Sequence, residues 1–200
     1  MQFFLSEKRR GIFILLFGVF IGLHPAEAQR FRANLHGGFN LSQIDGDQLA
    51  GYDQPGLAGG IQTNVVLNQR WEWSLGLSYV QQGARKNALS GAAALRNIRL
   101  NTVEMPLMLH FNEWKFQIGT GIAFNRLIRG RVIDDTGIDV SDLFRMQDNQ
   151  FSALVEARVF LKENSGFGFR WYKNLFNIRQ DEAAGAWIGR SINLHAFFRL

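Results

Sequence analysis

From Trp71 to Tyr79 the chain places an apolar side chain at every second position. Trp71, Trp73, Leu75, Leu77 and Tyr79 share one parity, and Glu72, Ser74, Gly76 and Ser78 the other. A helix repeats its apolar positions every three or four residues, so a period of two demands an extended strand with two unlike faces. The same alternation recurs along the chain after residue 30. Phe31 to Asn40 forms a first strand, with Phe31, Ala33, Leu35, Gly37 and Phe39 on one face, and Leu57 to Val66 a second. The fourth runs over Ile98–Phe111, the fifth from Trp114 to Asn125, the sixth over Asn149–Leu161, the seventh over Phe167–Tyr172 and the eighth over Ile188–Arg199.

The connections alternate in length. Asp45–Gly56, Gly83–Asn97, Arg129–Asp148 and the stretch before Ile188 read as long loops rich in Gly, Asp and Asn. Leu67–Arg70, Asn112-Glu113 and Lys162–Gly166 read as turns. Eight strands with long loops at one end and short turns at the other predict an all-β fold: an eight-stranded antiparallel up-and-down transmembrane β-barrel. Strands of roughly 9–11 residues suffice to cross a bilayer at a tilt. The mean hydropathy of −0.09 accords with this, because alternation averages the lipid-facing and lumen-facing residues together.

The start of the chain reads as an export signal. Lys8, Arg9 and Arg10 precede an apolar run from Gly11 to Leu23, and Ala26-Glu27-Ala28 offers a cleavage site before Gln29. The run falls short of the roughly 20 residues of a spanning helix. Residues 1–28 are therefore expected to be a signal peptide and 29–200 the barrel domain. Removing Lys8, Arg9, Arg10, Glu7 and Glu27 lowers the formal charge from +5 to +4. The basic residues form no run or helical stripe, so no nucleic-acid partner is expected. The chain has no cysteine, and its stability must come from burial and backbone pairing.

Alternation alone leaves the sidedness open. A soluble, lipocalin-like periplasmic barrel binding an apolar ligand would turn the greasy face inward. Two features favour lipid outside. The apolar face is aromatic at both strand ends, with Trp71, Trp73, Phe111, Trp114 and Phe198 at one level and Phe39, Tyr79, Phe124 and Trp171 at the other. The polar face carries Gly76, Gly119, Gly121, Ala123, Gly168, Gly189 and Ser191, and an eight-stranded barrel has room inside only for fitted side chains. Charges of the same parity, Arg32, Glu72, Glu104, Lys115, Glu156, Arg158, Arg170 and Arg199, are expected to fill the lumen as a paired network and to leave no diffusion pore. Arg99, Arg126 and Arg190 break the outward pattern near the loop ends. They fit a rim touching lipid phosphates, or a rim that is merely solvated.

Several segments resemble the PorT-like outer-membrane β-barrel family of Bacteroidetes. They are Gly38-Phe39-Asn40, Ser42-Gln43-Ile44, Gly46-Asp47, Gly51-Tyr52, Pro55-Gly56, Leu77-Ser78-Tyr79, Gly83-Ala84 and Glu104-x-Pro106-Leu107. The resemblance covers most of the first half of the mature chain, and the second half matches only as alternating strands. It implies an eight-stranded Gram-negative outer-membrane barrel and offers no catalytic residues; the even strand count with long loops outside is what puts both mature termini in the periplasm. The founding member takes part in type IX secretion, so the implied partners are outer-membrane lipids together with envelope or type IX secretion proteins, around a monomeric barrel.

Enzymatic and metal-binding alternatives rest on sparse residues. His36 and His195 both point inward on strands that pair when the barrel closes, but no third ligand is spaced to join them. Glu104 beside Pro106 could act as a base, although half of an ion pair is the simpler role. An outer-membrane hydrolase acting on lipid or peptide would need Ser, His and an acid in mutual reach, and no such arrangement stands out. Asp45, Asp47 and Asp53, with Asp134, Asp135, Asp139 and Asp142, match no calcium-loop spacing. No cofactor, metal or catalytic residue is expected.

Overall fold

The computed structural model describes residues 31–49, 51–88, 90–91, 93–181 and 185–200. The export signal expected over residues 1–28 lies outside them. The described residues form eight strands: β1 (Phe31–Asp45), β2 (Gln54–Val66), β3 (Trp71–Arg85), β4 (Leu95–Glu113), β5 (Phe116–Asp134), β6 (Asn149–Lys162), β7 (Ser165–Asn174) and β8 (Ile188–Arg199). Each pairs antiparallel with its sequence neighbour, and β8 returns to β1 to close the barrel. The closing seam runs from Asn34↔Arg199 to Asp45↔Ile188, so both described ends lie at the turn end. Closure leaves no strand edge, the condition for extended chain to sit in hydrocarbon.

The turns are tight. Asn68 accepts from Arg70 N and Trp71 N at 2.9 and 3.0 Å, which folds the chain between β2 and β3. Trp114-Lys115 joins β4 to β5, with Trp114 at φ 52°. Several boundaries differ from the sequence reading: β1 runs on to Asp45, β2 starts at Gln54 and β7 covers Ser165–Asn174. The loop expected from Gly83 shrinks to residues 86–94, because β3 runs to Arg85 and β4 starts at Leu95. Strand five begins at Phe116, since Trp114 is a turn residue. It continues past Arg129 to Asp134 because of a bulge: Asn101 pairs with Arg129 but Thr102 with Leu127, leaving Ile128 unpaired. One extra residue reverses parity. Beyond it Val132 points inward and Arg131 outward, which hides the strand from an alternation scan.

The apolar parity faces outward. More than twenty large apolar side chains stand exposed around the wall, Phe39 at 70%, Leu75 at 60% and Ile61 at 57% among them. At about 1 kcal/mol each, exposing them to water would cost more than the 5–15 kcal/mol by which a domain is ordinarily stable. Lipid must cover this face. On β1 it runs from Phe31 to Leu41; ten residue steps of about 3.3 Å, tilted about 40°, span about 25 Å, the height of a barrel's apolar band.

Candidate functional site

The inward parity fills the barrel in three layers. In the middle layer Glu156 on β6 stands directly across from Arg170 on β7. Its Oε1 accepts from Arg170 Nε at 2.9 Å and lies 2.8 Å from Arg170 Nη2, while Oε2 lies 2.9 Å from Arg158 Nε. Arg170 Nη1 reaches Glu104 Oε1 at 3.2 Å. Arg158 donates onward to Gln62 at 2.5 Å and to Gln117 at 3.2 Å. Glu72 accepts from Asn64 at 2.5 Å and from Gln117, and lies 3.6 Å from Arg199. Glu72, Glu104 and Glu156 thus balance Arg158, Arg170 and Arg199. A low-dielectric interior requires that balance, because an uncompensated charge there costs several kcal/mol.

Three histidines complete this layer, each facing a glycine across the strand boundary: His36↔Gly60, His110↔Gly119 and His195↔Gly168. The pairing is steric. A Cβ at Gly119 would sit 2.3 Å from His110 Nδ1, and one at Gly168 would sit 2.3 Å from His195 Nε2. Gly119 and Gly168 therefore make room for imidazoles, while a Cβ at Gly60 would meet Leu77 and Ser78. His36 and His195 meet edge to face with ring centroids 5.7 Å apart. No group of three or more potential metal ligands occurs among the described residues.

Toward the loops the lumen turns apolar. Ile44, Leu95, Ile98, Leu100 and Val132 from the strand ends pack against Leu49, Ile178 and Trp187 from the loops. Phe144 stacks on Trp187 at 5.4 Å, and the Arg179 guanidinium covers both rings. This cap is built like a soluble core and lies across the loop end. Toward the turns, Phe160 and Phe197 meet edge to face at 4.9 Å, with Arg158 over Phe197 and Arg199 over Phe160. The central cavity, lined by His36, Glu104, Arg170 and Tyr172, holds about 20 Å³, room for one water.

Six of the eight charges expected in the lumen are there: Glu72, Glu104, Glu156, Arg158, Arg170 and, at its turn end, Arg199. Arg32 and Lys115 are not; both stand exposed at the turn-side mouth. Lys115 belongs to the β4–β5 turn, where its ammonium lies 5.2 Å from the Trp114 ring centroid. The three rim arginines divide. Arg126 is held by Asp148 at 3.2 Å and Asn149 at 2.8 Å, and Arg190 by Asp45 at 2.5 Å. Arg99 stands exposed beside Arg131.

One arrangement escaped the sequence. Ser74 Oγ lies 2.8 Å from His110 Nε2, and His110 Nδ1 lies 3.9 Å from Glu156 Oε2. The three residues sit on β3, β4 and β6, so no spacing along the chain announces them. All three are fully buried, whereas a hydrolase needs its nucleophile exposed to substrate. The loop aspartates do not converge. Asp45 pairs with Arg190, Asp135 with Lys86, Asp139 with Arg131, and Asp53 accepts from Asn87. Hydrogen bonds from Thr136 and backbone N–H groups hold the Asp134 carboxyl below its ordinary range, and the Ser141 hydroxyl and amide with Arg131 do the same for Asp139. Asp47 is the exception. Burial pushes it up to about 7, against a hydrogen bond from Leu49 N at 2.8 Å.

A known protein family agrees with this geometry. The family model described as "Outer membrane protein beta-barrel domain" matches residues 23–180. No curated protein matches the chain. Among solved structures it is similar to Neisserial surface protein A, at 13% identity over 85% of this chain and 96% of that one, with a TM-score of 0.49. It is also similar to Ail, the attachment invasion locus protein of Yersinia pestis, at 9% identity over 86% of this chain and 100% of that one, with a TM-score of 0.46. A third is the outer membrane protein AlkL, at 13% identity over 88% and 95% of the respective chains, with a TM-score of 0.40. The apolar exterior and the family match together overturn the soluble, lipocalin-like alternative. The chain belongs to the outer-membrane protein β-barrel domain family and is a small eight-stranded barrel of the outer membrane.

Proposed function

We propose that the barrel is a non-enzymatic envelope component whose working surface is its loop end and rim, and that it conducts nothing. The lumen carries this reading: a balanced ion network between an apolar cap and an aromatic floor, with an internal cavity of about 20 Å³. A hydrated ion needs a continuous polar path, and Ile44, Ile98, Leu100 and Trp187 place buried apolar side chains across the loop end of the lumen. Both mature termini then lie in the periplasm and the loops outside, as the short-turn and long-loop asymmetry favours. The PorT-like resemblance supports a monomeric barrel in a Bacteroidetes envelope, after removal of an N-terminal signal peptide. It also makes type IX secretion proteins and outer-membrane lipids the partners to look for. Of the three rim arginines, Arg99 has no acidic partner among the described residues and is the one left to meet a lipid phosphate, Arg126 and Arg190 being held by Asp148 and Asp45.

Recording from the protein in planar bilayers tests the closed lumen. Silence at ±100 mV is expected, and steady conductance would overturn it. Co-purification from native outer membranes tests the accessory role: secretion components in the eluate support it, and a solitary barrel removes it. An esterase or peptidase activity abolished by Ser74→Ala or Glu104→Gln would replace this reading with the hydrolase.

A further inference from the structure

On the outer wall, where β3, β4 and β5 rise above the apolar band, lies an open groove of about 630 Å³. Arg85, Lys86, Arg96, Arg99 and Arg131 line it, against one carboxylate, Asp135. Asp135 is already committed to Lys86 at 2.8 Å, and Asp139 to Arg131 at 3.0 Å. Arg85, Arg96 and Arg99 have no acidic partner among the described residues, so the groove keeps about three uncompensated positive charges. Arg99 and Arg131 also stand side by side across the β4–β5 ladder. Like charges directly opposite destabilise a sheet unless something anionic lies between them. The other rim arginines lack this surplus, since Arg126 and Arg190 are neutralised by Asp148 and Asp45.

Height identifies the anion. Directly below the groove, β4 presents Val103, Met105 and Leu107 to lipid. Arg99 lies four residues above Val103, about 10 Å along the membrane normal at about 3.3 Å per residue and 40° tilt. Arg85 and Arg96 lie higher still, since Arg85 pairs with Asn97, beyond the Gly83↔Arg99 rung. The polar layer of an ordinary bilayer adds only about 5–8 Å on each side. A phospholipid phosphate would reach Arg99 at most. A ligand that engages all three must have acyl chains against the wall and several phosphates spread over a tall saccharide headgroup.

We infer that this groove is a binding site for the phosphorylated headgroup of an outer-leaflet glycolipid, centred on Arg85, Arg96 and Arg99. The inference rests on the outer-membrane rim reading above and narrows it to one sector of the wall and one ligand class. The test is titration of the purified barrel in maltoside micelles with a multiply phosphorylated glycolipid, followed by native mass spectrometry. Saturable one-to-one binding is expected, weakened at least tenfold in Arg85→Gln/Arg96→Gln/Arg99→Gln and less than twofold in Arg126→Gln/Arg190→Gln. The dephosphorylated glycolipid and phosphatidylglycerol should each bind at least tenfold more weakly. Equal losses in the two variant sets, or equal affinity for phosphatidylglycerol or free tripolyphosphate, would overturn the site. Heat-modifiable migration reports whether each variant folds. Should the triple variant not fold, Arg99→Gln alone must weaken binding about threefold, and an unchanged affinity would count against the site. Bilayer conductance tests the closed-lumen reading separately, so one can fail without the other.

Discussion

Replacing Glu156 by Gln isolates the charge balance of the lumen with almost no change in shape. The carboxylate lies 2.8 Å from Arg170 Nη2 and 2.9 Å from Arg158 Nε, all three groups being buried. At an effective dielectric of about 20, each pair is worth roughly 4 kcal/mol before desolvation. Gln would lose both attractions, and would turn an amide donor toward guanidinium groups that need an acceptor. It would recover the carboxylate's own desolvation, several kcal/mol. Arg170 would keep Glu104 at 3.2 Å, while Arg158 would retain the amides of Gln62 and Gln117 and the Phe197 ring but no carboxylate contact. The net loss is about 3–5 kcal/mol, the usual cost of breaking a buried pair from one side. With an m-value of about 2 kcal/mol/M, the urea midpoint of the barrel in phospholipid vesicles should fall by about 2 M, read by tryptophan fluorescence. Adding Arg158→Gln should return part of the loss, so the double variant costs at least about 1.5 kcal/mol less than the sum of the singles. A midpoint unchanged within about 0.5 M, or strict additivity, would refute the claim that these groups neutralise one another.

Three further outcomes follow from the packing. Gly168→Val should destabilise by about 1–3 kcal/mol, because its Cβ would collide with the His195 ring, whereas Gly37→Val, with nothing within 4 Å, should be neutral or mildly stabilising by the same urea assay. Asp47 is pushed up to about 7 in the folded barrel, so the folded state holds its proton more tightly than the unfolded chain does. The contribution of Asp47 to stability is therefore greatest at low pH and is lost as pH rises from about 4 through about 7. Asp47→Asn should match the wild-type urea midpoint at pH 4 and exceed it at pH 8, and equal midpoints at pH 8 would contradict the assignment. Trp114→Gly relieves a left-handed residue in the β4–β5 turn and should stabilise the barrel by about 1 kcal/mol in detergent micelles, where no interface rewards the indole.

Much of this architecture is legible in the residues, for a physical reason. A barrel strand needs only its parity read, and β3, from Trp71 to Tyr79, advertises it without interruption. Lumen membership follows from the same parity, which is why Glu72, Glu104, Glu156, Arg158 and Arg170 could be named from sequence. Parity fails where the backbone leaves the regular pleat. The bulge at Ile128 reverses the alternation in β5, and the turn at Trp114-Lys115 removes Lys115 from the face its number assigns. The apolar cap was missed for another reason. Ile98 and Leu100 share the inward parity of β4 and Val132 turns inward beyond the bulge, but all three sit above the bilayer, where an inward apolar residue is ordinary core and looks like a break in the pattern. The Ser74–His110–Glu156 contact and the histidine–glycine pairings depend on register across strands, which no single stretch of chain encodes. The surplus charge of the Arg85–Arg96–Arg99 groove depends on which acids the loops carry to which arginines.

Placement of single cysteines along β3, in a protein that has none of its own, addresses the orientation of the wall most directly. An environment-sensitive fluorophore on Leu75→Cys or Leu77→Cys should be quenched by lipids brominated on their acyl chains, while Ser74→Cys and Ser78→Cys should resist labelling in the folded barrel. Quenching at the serine positions with none at the leucines would mean that the greasy face is turned inward.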